Sequence, residues 1–179
     1  MATKAKILAS KIVYQSTNFR INQEEIERDG HVFIKDIIED TPIVVILPYT
    51  KKGEIYLGLE YRDAFGKQIL NTIGGKVIAG KDLLESAKAE LQEESGMKAA
   101  TWKHVATWET AYIMRKKMSV FFATDLELGE QQLETDENIR MVKLSLADAL
   151  QKIDTGEISV ALDVAIILLF DKLQKEGKL

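Results

Sequence analysis

The sequence predicts an α/β/α sandwich preceded by a short strand-rich segment. Three observations carry that expectation. Runs of β-branched and apolar residues bounded by glycine and proline recur along the first two thirds of the chain. Helical periodicity appears over 82–95 and again over 146–173. Strands mixed with helices in this order place helices on both faces of a sheet. With 179 residues, 46% hydrophobic and 29% charged, the chain suits one domain of ordinary size that buries its core without staples.

Taken in order, Lys11 to Phe19 and His31 to Ile38 carry alternating or β-branched apolar residues, with the polar stretch Asn22 to Gly30 between them ending in the turn signal Asp29-Gly30. Residues 1–40 therefore form a strand-rich segment, expected to build a homodimer because its strands would otherwise leave an exposed edge. Residues 41–179 form the main domain. Pro42 to Pro48 is an apolar run between prolines, and Glu54 to Tyr61 follows Lys51-Lys52-Gly53, so two paired central strands are expected. From Asp82 to Ser95 the period becomes helical, with Leu83, Leu84, Ala87 and Leu91 as the buried stripe. Asp82 with Glu85 has capping-box spacing, and Gly96 stands where a helix stops. Trp102 to Trp108, Ser119 to Leu126 and Val142 to Leu144 read as strands. Leu146 to Ile153 and Val160 to Leu173 read as helices, the second apolar enough to pack against the sheet.

Composition narrows the function. The 24 basic and 28 acidic residues give a net charge of −4, which excludes an extended nucleic-acid or anionic-membrane surface but leaves room for a small phosphate pocket. Cysteine is absent, so disulfides, thiolate catalysis and cysteine zinc sites are excluded, and a cytoplasmic location is expected. Met1 to Ile12 has no sustained apolar stretch, and nothing approaches the roughly 18 residues of a membrane span. His31 and His104 have no partners at metal spacing, and Trp102 and Trp108 read as core or interface residues.

The chemistry concentrates on the helix over 82–95. Glu90, Glu93 and Glu94 are spaced i, i+3 and i+4, which at about 100° per residue puts three carboxylates on one side, expected opposite the leucine stripe. Alone, the triad is better explained as a solvated acidic face. As a group it suits Mg²⁺, which takes a few carboxylate oxygens and completes its shell with water and phosphate. Gly74-Gly75 and Gly80 lie just upstream, where glycine lets backbone approach a ligand closely.

The segment from Gly75 through Glu90, Glu93 and Glu94 to Gly96 and Met97 resembles the Nudix box, G-x5-E-x7-R-E-U-x-E-E-x-G-U with U apolar. Two positions depart, Lys81 standing for the first glutamate and Ala89 for the arginine, while the metal-binding glutamates remain. Val44 to Pro48, Glu60-Tyr61-Arg62 and Leu70 to Lys76 are similar to the ADP-ribose and nucleotide-sugar pyrophosphatases of that superfamily. The resemblance implies a Nudix-type sandwich with a mixed sheet. It also implies hydrolysis of a nucleoside diphosphate linked to a sugar, assisted by Mg²⁺ with Mn²⁺ as a substitute. The metal would be held by Glu90, Glu93, Glu94 and the Gly74 carbonyl, and Arg62 would contact a substrate phosphate.

The general base would come from the later acidic loop 129–137, where Glu134 and Glu137 rank first among Glu130, Glu134, Asp136 and Glu137. Tyr112 and Phe19 are the candidates for contact with the base of the nucleotide. The expected Pro-containing loop is replaced by Thr110 to Lys117, whose Arg115, Lys116 and Lys117 either reach additional phosphate or decorate a solvated loop. Two other readings stay open: a nucleotide-binding regulatory module without turnover, and hydrolysis of dinucleoside polyphosphates.

Overall fold

The computed structural model describes residues 4–135 and 137–179. Their contacts divide into two compact units, one holding the chain up to Ile43 together with Thr107–Met118, the other Val44–Ala106 with Ser119–Leu179.

In the first unit, β1 (Lys6–Gln15), β2 (Phe19–Arg28) and β3 (His31–Asp40) form an antiparallel meander, and the short β9 (Met114–Arg115) adds parallel to β3. The Asp29-Gly30 turn is a two-residue hairpin loop with both residues at positive φ, 54° and 77°, the geometry that matches strand twist. The polar stretch Asn22 to Gly30, read between strands, is instead mostly strand β2. Its inward positions Asn22 and Glu24 are buried and polar, which hid the alternation. Glu24 is satisfied there by Arg115, with Nη2 donating to Oε2 at 2.7 Å and Nη1 donating to Oε1. Asn22 donates to Glu39 Oε2 at 2.8 Å.

The second unit is layered. A sheet in the order β7-β4-β10-β8 comprises β7 (Ile73–Lys76), β4 (Ile43–Pro48), β10 (Lys117–Leu128) and β8 (Met97–Glu109). A second sheet, β11-β5-β6, comprises β11 (Arg140–Leu144), β5 (Ile55–Arg62) and β6 (Lys67–Asn71). The expected pairing of β4 with β5 does not occur along their length; each joins a different sheet, and a single bridge, Tyr49 to Ile55, links this stretch. The described residues hold three helices: α1 (Leu83–Ser95), α2 (Leu146–Asp154) and α3 (Ala161–Lys175). None among the described residues is long and apolar enough to cross a membrane.

Adjacent residues on β10 show why both sheet faces are apolar. Phe121 packs with Val44, Ile46, Ile73, Ala87 and Leu91 in the cluster that buries α1, whereas Phe122 meets Phe170 of α3 edge-on at 5.3 Å. Side chains alternate across a strand, so a strand covered on both faces must be apolar throughout. The run Met118 to Ala123 is, apart from the buried Ser119.

Candidate active site

Helix α1 is fixed at both ends. Asp82 Oδ1 accepts from Glu85 N at 2.7 Å while Glu85 Oε2 accepts from Asp82 N at 3.0 Å, the reciprocal capping box the sequence suggested. Gly96 closes it in the left-handed conformation, and the backbone of residues 129–131 packs so tightly against it that a Cβ would lie 2.5 Å from Gly129 O. The acidic loop is thereby docked on the end of α1, where Gln132 N donates to Glu93 O at 2.8 Å.

The carboxylates do not stand on a solvated face opposite the apolar stripe. Glu94 is buried, Glu90 half-buried and Glu93 exposed. The stripe itself is Ala87 and Leu91 with Leu84 beside them; Leu83, expected in it, is exposed. Positions three and seven residues after Ala87 return to the same side of the helix, so Glu90 and Glu94 border the core. Spacing showed that they are neighbours, but not which way they face.

What receives them is the glycine pair. Gly74 N donates to Glu94 Oε2 at 3.0 Å. Gly74 lies at φ 155°, and a Cβ there would sit 2.2 Å from Val44 O; at Gly75 a Cβ would sit within 2.5 Å of the Glu90 carboxylate oxygens. At Gly74 the contact is with fixed backbone of β4, so only glycine fits, whereas a side chain at Gly75 would displace the movable end of Glu90.

Burial pushes the Glu94 carboxyl up to about 8, against the Gly74 hydrogen bond that favours its charge and with Glu90, Glu137 and Glu60 adding repulsion. Burial, followed by the charges of Glu93, Glu137 and Glu134, pushes Glu90 up to about 7. The acidic loop therefore stands within electrostatic reach of the helix carboxylates. Glu137 Oε2 accepts from Glu134 N at 3.0 Å, folding that loop on itself; Asp136 lies outside the described residues.

In the motif Glu60-Tyr61-Arg62 only Arg62 was expected to act, and Glu60 was not. Glu60 is buried on β5, and Arg62 Nη2 lies 2.8 Å from its Oε2 without the alignment of a hydrogen bond. Arg62 Nη2 instead donates to Asn71 at 2.8 Å when that amide is oriented to satisfy both its ends, its nitrogen donating to Gly58 O at 2.7 Å. Glu60 shares its face of β5 with Tyr56 and Gly58, opposite Ile55, Leu57 and Leu59, so apolar alternation gave no signal for it.

The donor chemistry fits a hard divalent cation. One buried and one half-buried carboxylate repel one another beside the backbone of the glycine pair, and among the described residues no cation appears among the causes acting on either carboxyl. Among those residues no three acidic or histidine side chains already converge as a metal cluster.

The remaining candidates lie in the first unit. Tyr112 is fully exposed, and Phe19 lies tilted against Tyr14 with ring centroids 5.6 Å apart. The basic run does not present three cations for phosphate. Arg115 is occupied by buried Glu24 and Lys116 pairs with Asp40, leaving Lys117 exposed. Of the departures from the box, Lys81 is exposed and Ala89 half-buried.

No family model matches the chain. It is 24% identical over 166 residues to the ADP-ribose pyrophosphatase of Mycobacterium tuberculosis, covering 90% of this chain and 80% of the relative. The ADP-ribose pyrophosphatase of Bacillus subtilis is 24% identical over 157 residues, 86% and 85% of the two chains. This chain resembles the Nudix-type ADP-ribose pyrophosphatases. The methanol dehydrogenase activator of Bacillus methanolicus is 22% identical over the same shares. A crystal structure of an ADP compounds hydrolase superposes with a TM-score of 0.87 at 21% identity over 100% of this chain and 99% of that one. That superposition shows the fold, and the α/β/α sandwich expected from the sequence is the fold observed.

Proposed function

We propose that the chain is a divalent-metal-dependent pyrophosphohydrolase that cuts the diphosphate bridge of ADP-ribose or a nucleoside diphosphate sugar, releasing nucleoside monophosphate and sugar phosphate. The observation that carries this reading is the pair Glu90 and Glu94, held against Gly74-Gly75 with their charge disfavoured. A purely structural site has no use for such a pair, whereas a metal site does. Glu90 and Glu94, with Glu93 and the Gly74 carbonyl, would hold Mg²⁺ or Mn²⁺. The bound cation supplies charge neutralisation at the phosphate oxygens and a more acidic water.

The protein's own groups do the rest. Arg62, already beside Glu60 and Asn71, orients a diphosphate oxygen by charge-assisted hydrogen bonding. Water oxygen forms a new bond to one phosphorus, the bridging oxygen leaves with the other phosphate, and the water's proton passes to a carboxylate of the acidic loop, Glu134 or Glu137. Tyr112 and Phe19 contact the nucleobase. Two copies pair through the N-terminal strands.

The relatives named as ADP-ribose pyrophosphatases support the substrate class. A binding module without turnover would not need Glu90, Glu93 and Glu94 together. The test is a panel of nucleoside diphosphate sugars, ADP-ribose and dinucleoside polyphosphates with Mg²⁺, scored for nucleoside monophosphate release. Absence of cleavage across that panel contradicts the proposal.

A further inference from the structure

Asp163 is a buried carboxylate of the second unit to which the proposed reaction gives no task. It sits in the first turn of α3, 3% exposed, although Val160 gives that helix no side-chain cap. It turns inward instead: Oδ1 accepts from both Thr72 N, at 2.8 Å, and Thr72 Oγ1, at 2.7 Å. Burial raises its pKa while the two Thr72 bonds and the charge of Arg62 act the other way. Burying a carboxylate is costly, and an apolar contact would join α3 to the sheet at lower cost.

Thr72 stands between β6 and β7, itself buried. The residue before it, Asn71, is the partner of Arg62 and Gly58. Two residues after it, Gly74 N reaches Glu94 Oε2, and Gly75 lies against the Glu90 carboxylate. One hydrogen bond would fix where Thr72 sits. Two bonds to one oxygen, from main chain and side chain, also fix its rotation about the strand, and so the direction of the peptide groups at 73–75.

We propose that Asp163 and Thr72 are a positioning pair for the metal-binding edge of the site, setting the Ile73-Gly74-Gly75 backbone against Glu94 and Glu90. The inference rests on the reading of Glu90 and Glu94 as metal ligands. Neither residue touches the reacting atoms; they act through the glycine pair. Outer partners of metal ligands have a recognisable effect when lost, a drop in metal affinity larger than any loss of fold explains.

The test measures Mn²⁺ binding by the electron paramagnetic resonance of free Mn²⁺, on the full chain without nucleotide, beside thermal unfolding of the same samples. Thr72→Val deletes the hydroxyl while preserving shape, and should weaken Mn²⁺ binding by about tenfold or more. Thr72→Ser keeps both bonds and should bind as wild type does. Asp163→Asn keeps an acceptor but a neutral one, and should fall between them. Folded Thr72→Val with wild-type Mn²⁺ affinity overturns the inference and leaves the pair as a structural fastening; should Thr72→Val not fold, unchanged affinity in Asp163→Asn overturns it equally. Glu94→Gln is the control that separates the two readings. If it leaves Mn²⁺ binding unaltered, or wild type binds none, the metal site itself is wrong and the inference falls with it.

Discussion

Glu94 is under two opposed demands, since its place beside the core favours the neutral form and its proposed work requires the charged one. A carboxyl raised in the folded protein contributes stability that is full below its unfolded value, 4.5, and lost as pH rises through its folded one, about 8. Glu90, raised to about 7, adds to the same slope. Metal-free protein should therefore melt at progressively lower temperature between about pH 5 and pH 8, and Glu94→Gln should flatten that slope. Mg²⁺ should restore melting temperature more at pH 8 than at pH 6, because binding competes with protons. Melting curves with and without Mg²⁺ check this; a pH-independent melting temperature in metal-free wild type contradicts it. The choice of base is decided at the same scale. Of Glu134→Gln and Glu137→Gln, the one that removes the base should cut kcat by about 100-fold to 10,000-fold, and the other far less. Equal small losses in both would place the base elsewhere. Spacing showed that Glu90, Glu93 and Glu94 are neighbours on α1 but not which way each faces. The fate of Arg115 and Lys116 was not legible. Their partners Glu24 and Asp40 lie 91 and 76 residues away, and no local pattern announces a pairing across that separation.

Among the elements, α1 was the most readable because its signals are local: both caps and the period sit within the helix. Asp82→Ala removes the capping oxygen, and should cost about 1 kcal/mol of stability. Glu90 and Glu94 lie about two and three turns further on, so activity at saturating Mg²⁺ should stay within a fewfold of wild type. Chemical denaturation beside steady-state kinetics checks both halves; a collapse of activity would mean that the glutamates depend on the first turn. Apolar runs were legible as strands and illegible as partners, while β2, β6, β7 and β9 were not read as strands. The apolar runs that became β4 and β5 follow one another closely, which favours a hairpin, yet β4 is covered on both faces inside one sheet and β5 lies between β11 and β6 in another. Pairing is decided by what covers each face, and residues near in sequence do not record it. The polar β2 failed for a different reason. Its inward residues are charged or amide, satisfied by groups that a hydrophobic pattern cannot see.

For the molecule as a whole, the open question is what covers the N-terminal strands. β1 is an edge strand of ten residues, exposed along its length, and Ile7, Leu8, Ile12, Val13 and Tyr14 are among its exposed side chains. Long apolar edges of this kind are ordinarily paired. The protein should be a dimer at micromolar concentration by sedimentation, and Ile12→Lys with Val13→Lys should shift it to monomer; a fully active wild-type monomer contradicts the proposed pairing. The central claim, that this is an enzyme of the diphosphate bridge, is reached most directly by one assay. Purified protein is incubated with ADP-ribose at millimolar Mg²⁺, AMP release is followed over time, and Glu94→Gln of matched melting temperature is run beside it. Wild type should release AMP steadily, and that release should be abolished by chelation and reduced by orders of magnitude in Glu94→Gln. Equal rates in the two proteins would contradict the claim, as would release that persists after the metal is removed.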